Sequence, residues 1–190
     1  MLNPCTHRLV HEHESRAQVA RIGAGDLPPA FATTFPGSWQ QPAYAFNTSL
    51  TLIGDYGNNS WFSTYAGNGS GIVNQRLYVD LGSTMVIGKV RMVNHHNLGN
   101  AEQNRGVRAA RMYVMPTDPS TAFNANVGSQ YMVFNGEIQK NDYSNSGAVW
   151  QELPLSQILQ GRYFVCDFAT NWGGLAAADV MAVRRIQLGP

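Results

Sequence analysis

Leu77-Tyr-Val-Asp-Leu-Gly82, followed after three residues by Val86-Ile-Gly-Lys-Val-Arg-Met-Val93, decides the fold class. Leu77, Val79 and Leu81 alternate with Tyr78 and Asp80, the period of two expected of a strand with one face in a core. In the second run Val86, Gly88, Val90 and Met92 fall on one face and Ile87, Lys89, Arg91 and Val93 on the other. The same texture continues through Arg108–Met115, Tyr131–Phe134, Val149–Leu153, Arg162–Phe168 and Ala182–Leu188. Clusters such as Gly54-Asp-Tyr-Gly-Asn-Asn-Ser60, Gly67-Asn-Gly-Ser-Gly71 and Asn141-Asp-Tyr-Ser-Asn-Ser-Gly147 separate these runs with turn chemistry. Many short strands without helical periodicity predict an all-β sandwich or jelly roll over residues 43–190. One helical turn is expected at Leu155–Gln160, closed by Gly161.

Residues 1–42 read differently. Pro28, Pro29, Pro36 and Pro42 exclude a regular helix or central strand over 26–42. This is an extended, Pro-rich N-terminal arm that lies along its own domain or a neighbour, with a short helix within Ser15–Ile22. Cys5, His7, His11 and His13 have some metal-ligand character but match no standard zinc spacing. A disulfide between Cys5 and Cys166 would have to join this leader to the last strands.

Composition narrows the function. The chain has 190 residues, enough to bury a core without staples, and only 13% are charged, against a usual share of about 25%. The formal net charge is +1, so no overall field draws the chain to nucleic acid or anionic lipid. Eleven of the thirteen basic residues are arginines, which favour planar, fixed hydrogen bonding. Arg105, Arg108 and Arg111 recur every three residues, so 108 and 111 have opposite strand parity and suit ion pairs better than a nucleic-acid stripe. Neither a signal peptide nor an apolar run long enough to insert in a membrane is present. No nucleophile elbow, zincin motif, P-loop or dinucleotide fingerprint occurs, so the expectation is not an enzyme.

Three ordered segments carry a family resemblance. They are Ala43-Tyr-Ala-Phe-Asn47 with Asn59-Ser-Trp61-Phe-Ser63; the Leu77–Gly82 and Val86–Arg91 pair; and Gly161-Arg-Tyr-Phe-Val165 with Asn171-Trp-Gly-Gly174 and Arg184–Leu188. Together they resemble the discoidin, or coagulation factor 5/8 type C, group of galactose-binding-like domains, which includes many carbohydrate-binding modules. The resemblance implies a jelly-roll β-sandwich in which Trp61 plugs one end, Asp80 and Gly82 form a strand-end turn, and Tyr163 and Val165 share one face of a central strand.

Two sets of site residues follow. Sugar recognition needs amides, an imidazole and a guanidinium beside an aromatic plate. His96, Asn97, Glu102 and Arg105 of the 94–106 loop supply the first kind, with Asn171 beside them, and Trp172 or Tyr65 supplies the plate. No cofactor is expected, although the family's calcium loop maps onto Asn47, Asp55, Asn58 and Ser60. The family's Asp stands here as Asn47, and its final-strand Glu aligns with Arg184 or Arg185, which opposes a cation; Asx-stabilised turns are the favoured alternative.

The expected role is non-catalytic binding, with two forms. In the first, the chain is a virion component of a bacteriophage capsid, tail or fibre. Its arm contacts other protein subunits of an oligomer, and its loops reach protein or cell-surface glycan. This form rests on the initial methionine, the missing signal, the scarcity of lysine and the aromatic arm, and release by lysis would explain export. The alternative is a free carbohydrate-binding or adhesion module that recognises a glycan through its end loops.

Overall fold

The computed structural model describes residues 31–32, 42–47, 60–63, 75–96, 104–119, 128–141, 149–173 and 180–190, with backbone alone at 31–32. Among the described residues nine strands run in chain order: β1 (Phe31–Ala32), β2 (Trp61–Phe62), β3 (Gln75–Ile87), β4 (Lys89–Asn94), β5 (Val107–Met115), β6 (Met132–Glu137), β7 (Trp150–Leu153), β8 (Leu159–Asn171) and β9 (Ala182–Gly189). They form a five-stranded sheet, β1-β3-β8-β5-β6, and a four-stranded sheet, β2-β9-β4-β7. Within the described strands every pairing is antiparallel.

The alternation read from the sequence places the core between the sheets. Leu77, Val79, Met112, Val114, Phe164 and Phe168 from one sheet meet Trp61, Val90, Met92, Val183 and Ile186 from the other, and all are fully buried. Trp61 pairs with Val183 and lies against the Phe168 ring at 5.5 Å, closing the layer as the resemblance implied. Cys166 is a free, buried thiol on the same inner face, and burial pushes its pKa well up. Among the described residues no helix is long and apolar enough to cross a membrane.

Three local readings are corrected. Val86–Val93 is not one strand: the chain leaves the five-stranded sheet after Ile87 and enters the four-stranded sheet at Lys89. The break at Gly88 resets the phase, so Ile87 and Val90 both face the core although their parity differs. Leu155–Gln160 is not a helical turn; Leu159 and Gln160 already belong to β8. Gly161 is needed for close approach instead of a cap, since a Cβ there would lie 2.6 Å from the Met115 carbonyl oxygen. Tyr163 shares a face with Val165 as expected, but that face is the outer one, where both join Tyr78, Tyr113 and Met115.

The Asp80–Gly82 turn forms inside β3. Gly82 has φ +77° and donates its N–H to Asp80 Oδ1 at 2.8 Å, and the register with β8 slips between Asp80 and Met85. Arg162 grips the same carboxylate through Nε and Nη2, both at 2.8 Å, and holds its pKa below the ordinary value.

The arm reaches the domain's own sheet. Phe31 and Ala32 pair with Tyr78 and Leu77 at the β3 edge, and Ala45 and Phe46 close the core just after Pro42.

Candidate functional site

Antiparallel alternation sends the connections 63–75, 95–106, 138–149 and 172–181 out of one end of the sandwich. The sugar-binding set comes from three of these connections and from Asn171, the last residue of β8. His96, Arg105, Asn171 and Trp172 are therefore gathered at this end, while Asn97, Glu102 and Tyr65 lie outside the described residues.

Asn94 builds the floor. Its Nδ2 donates to the carbonyls of Val107 at 2.7 Å and Gln139 at 2.9 Å. Its Oδ1 accepts from the backbone N–H groups of Val107 at 2.8 Å and His95 at 3.0 Å. One buried amide thus ties the end of β4 to the start of β5 and to the segment after β6, with all its hydrogen-bonding capacity used. Asn141 donates to the Asn94 carbonyl at 3.2 Å and keeps a buried Oδ1 without a hydrogen-bond partner. His95 packs edge-on against Phe62 with ring centroids 4.8 Å apart. His96 is buried, and its carbonyl accepts a hydrogen bond from the Arg184 guanidinium. Asn171 is also buried and donates to the Val180 carbonyl at 3.0 Å. Both predicted ligand residues therefore serve the floor of the rim and not its surface.

Trp172 and Arg105 stand higher and are half-buried. The Trp172 backbone N–H bonds to the Gly106 carbonyl at 3.0 Å, and its indole Nε1 donates to the Ile138 carbonyl at 3.1 Å. Arg108 lies over the indole 5.1 Å from the ring centroid and pairs with Glu137 at 2.9 Å. The Gly173 N–H donates to the Asn104 carbonyl at 2.8 Å, and Lys140 reaches the Asn104 side chain at 2.6 Å. The indole is thus held in a fixed orientation, with one face under a guanidinium and amide, ammonium and carboxylate groups around it.

Asn94, Asn104, Lys140, Arg108 and Glu137 were missed as site residues. Their partners are 13 to 45 residues away, so no local pattern marks them. A usable signal did exist for Asn94, the last residue of β4, and for Asn104, three residues before β5, which lie towards the two ends of the polar loop. Two of the three arginines form ion pairs, as expected: Arg108 pairs with Glu137, and Arg111 pairs with Asp167 at 2.9 Å.

Of the calcium set, Asn47 and Ser60 are described, and Asp55 and Asn58 lie outside the described residues. The two described oxygens are neutral. Arg184 follows the residue that pairs with Trp61, and both Arg184 and Arg185 are buried. Burial pulls the Arg185 pKa down to about 10, which still leaves it protonated at neutral pH.

No family model matches the chain, and no curated protein matches its sequence. Solved structures do match its fold. The family 32 carbohydrate-binding module of NanJ from C. perfringens, solved with galactose, superposes with a TM-score of 0.52 at 15% identity, covering 85% of this chain and 92% of the module. The lectin domain of lectinolysin, solved with Lewis B antigen, gives 0.55 at 16% identity over 88% of this chain and 94% of that domain. Chitosan-binding module 2 of a chitosanase/glucanase from Paenibacillus sp. IK-5, solved with chitotriose, gives 0.51 at 13% identity over 84% and 93%. With two antiparallel sheets in the order described above, this chain has the galactose-binding-like β-sandwich fold of the discoidin type, shared with carbohydrate-binding modules and lectin domains.

Proposed function

We propose that this chain is a non-catalytic carbohydrate-binding module that takes a glycan at the rim formed by the 95–106, 138–149 and 172–181 connections. The observation that carries this reading is the pinned indole of Trp172, half-buried, with Arg108 over its ring and Asn104 and Lys140 beside it. A sugar offers an apolar ring face bordered by hydroxyls, and a fixed aromatic ring beside charged and amide donors matches both. The likeness to modules solved with galactose, Lewis B antigen and chitotriose supports a saccharide as the ligand class. It favours the glycan-binding alternative over the virion-component reading. The β1 pairing with the domain's own sheet likewise gives no support to an arm that contacts neighbouring subunits.

A glycan array tests the reading. The wild-type chain should retain discrete glycans. Trp172→Ala should weaken binding to them by about 30-fold, the weight of a ~2 kcal/mol central contact. That variant should also lose about 1 kcal/mol of stability with its indole hydrogen bond. Arg105→Ala should weaken binding at an unchanged melting temperature. A wild-type chain silent on a broad array removes the proposal.

The module proposed is metal-independent, because the family's acidic calcium ligands stand in this sequence as Asn47 and an arginine of β9. A chelator should leave the melting temperature unchanged. A rise on adding calcium would restore an ion held by Asn47, Asp55, Asn58 and Ser60.

A further inference from the structure

The four-stranded sheet has an outer face unlike its inner one. Val90 and Met92 of β4, Leu153 of β7, and Ile186 and Leu188 of β9 belong to the core. The residues that alternate with them, Lys89, Arg91, Trp150, Glu152 and Gln187, therefore point the other way. Antiparallel register sets Gln187, Arg91 and Glu152 in one row across β9, β4 and β7, and Trp150 stands opposite Val93 in the next row on the same face. Arg91 donates from Nε to Gln187 Oε1 at 2.8 Å, and its guanidinium carbon lies 4.5 Å from the centre of the Trp150 ring. Lys89 pairs with Glu152 at 2.7 Å. All five side chains are exposed or half-buried. Toward β9 the Trp150 row closes, since Val93 and Arg185 are buried.

The chemistry around Trp150 repeats that around Trp172. At the rim the ring lies under the Arg108 guanidinium, with the Glu137 carboxylate on that arginine and the Lys140 ammonium held by the Asn104 amide. On the sheet the ring lies under the Arg91 guanidinium, with the Gln187 amide on that arginine and the Lys89 ammonium held by the Glu152 carboxylate. Each indole is thus oriented by a guanidinium and bordered by an amide, an ammonium and a carboxylate. One difference favours a ligand on the sheet: the Trp172 indole N–H is used on the Ile138 carbonyl, whereas no described residue accepts from the Trp150 indole N–H. Neither Trp150 nor its polar neighbours belong to a core cluster, so packing of the sandwich does not require this ring. Lys89 and Arg91 are partly offset by Glu152, so the face has no field to hold a polyanion. Donors and acceptors mixed beside an apolar ring suit hydroxyls that border the apolar face of a sugar.

We propose that the outer face of the four-stranded sheet carries a second saccharide site, with Trp150 as its plate and Arg91, Gln187, Glu152 and Lys89 as its polar groups. The ligand class rests on the carbohydrate-binding reading of the rim, but the site does not use the rim's residues. Two sites on one chain hold a polymeric or densely displayed glycan more tightly than either alone.

Indole N–H resonances of the full chain test this. Trp150→Phe and Trp172→Phe assign the two signals, and galactose, chitotriose and Lewis B antigen are the probes. At least one probe should move the Trp150 signal to saturation, in the wild-type chain and in Trp172→Ala alike. On the Trp172→Ala background, Arg91→Ala or Trp150→Ala should weaken the remaining affinity by about tenfold, with the strand spectrum unchanged. A Trp150 signal that stays still with every probe, or that moves only while Trp172 is present, overturns the second site. So does a remaining affinity that neither substitution changes. A Trp172 signal that stays still while that of Trp150 moves removes the rim reading and leaves this site standing.

Discussion

Replacing Asn94 by alanine is expected to destabilise the domain by about 3–5 kcal/mol, measured as a shift in the urea midpoint at constant m-value. The side chain is buried and joins three segments through four hydrogen bonds. Alanine removes all four at once and leaves two backbone N–H groups and two carbonyls without the partner that replaces water. Each stranded group costs about 1–3 kcal/mol, and partial rehydration at the rim keeps the sum below the additive limit. Asn94→Asp preserves both accepted bonds but sets oxygen against the Val107 and Gln139 carbonyls, so it should be no better than alanine at neutral pH. If both variants melt with the wild-type protein, Asn94 does not hold the base of the rim.

Trp61→Ala should cost about 3–5 kcal/mol, the range for truncating a large buried aromatic ring. At roughly 2–4 °C per kcal/mol for a chain of this size, the melting temperature should fall by about 6–20 °C. Trp61 is fully buried, pairs with Val183 and supports Phe168, so its loss opens a cavity where β2 meets β9. The indole Nε1 is buried without a hydrogen-bond partner. Trp61→Phe therefore removes an unsatisfied donor along with some volume, and should cost only about 1 kcal/mol. A phenylalanine variant as damaged as the alanine variant would show that the indole N–H is needed after all.

The strands were legible because period-two alternation is a local property. Leu77–Leu81, Arg108–Met115, Arg162–Phe168 and Ala182–Leu188 each fall within β3, β5, β8 and β9. Gly161 was misread because its constraint comes from the Met115 carbonyl, which belongs to another strand. Gly88 was misread because a change of sheet resets the phase without interrupting the apolar run. At the site, the 94–106 loop drew attention through its density of polar side chains. The structure placed His96 and Asn171 beneath the rim, and set Asn104 and Lys140 beside Trp172. Which polar side chains bind one another, and which are left for a ligand, depends on neighbours brought together by the sheets.

Alternation and turn chemistry alone were enough to specify an all-β domain of amphipathic strands, since each strand's pattern is written in consecutive residues, and the family resemblance added Trp61 as its plug. Folding had to decide that Tyr78, Tyr113 and Tyr163 form a second, outer cluster, that Asn94 clamps three segments, and that Arg108 lies over Trp172. Each of these is a meeting of side chains on different strands, set by pairing register and layer packing, and no reading along a single strand contains it.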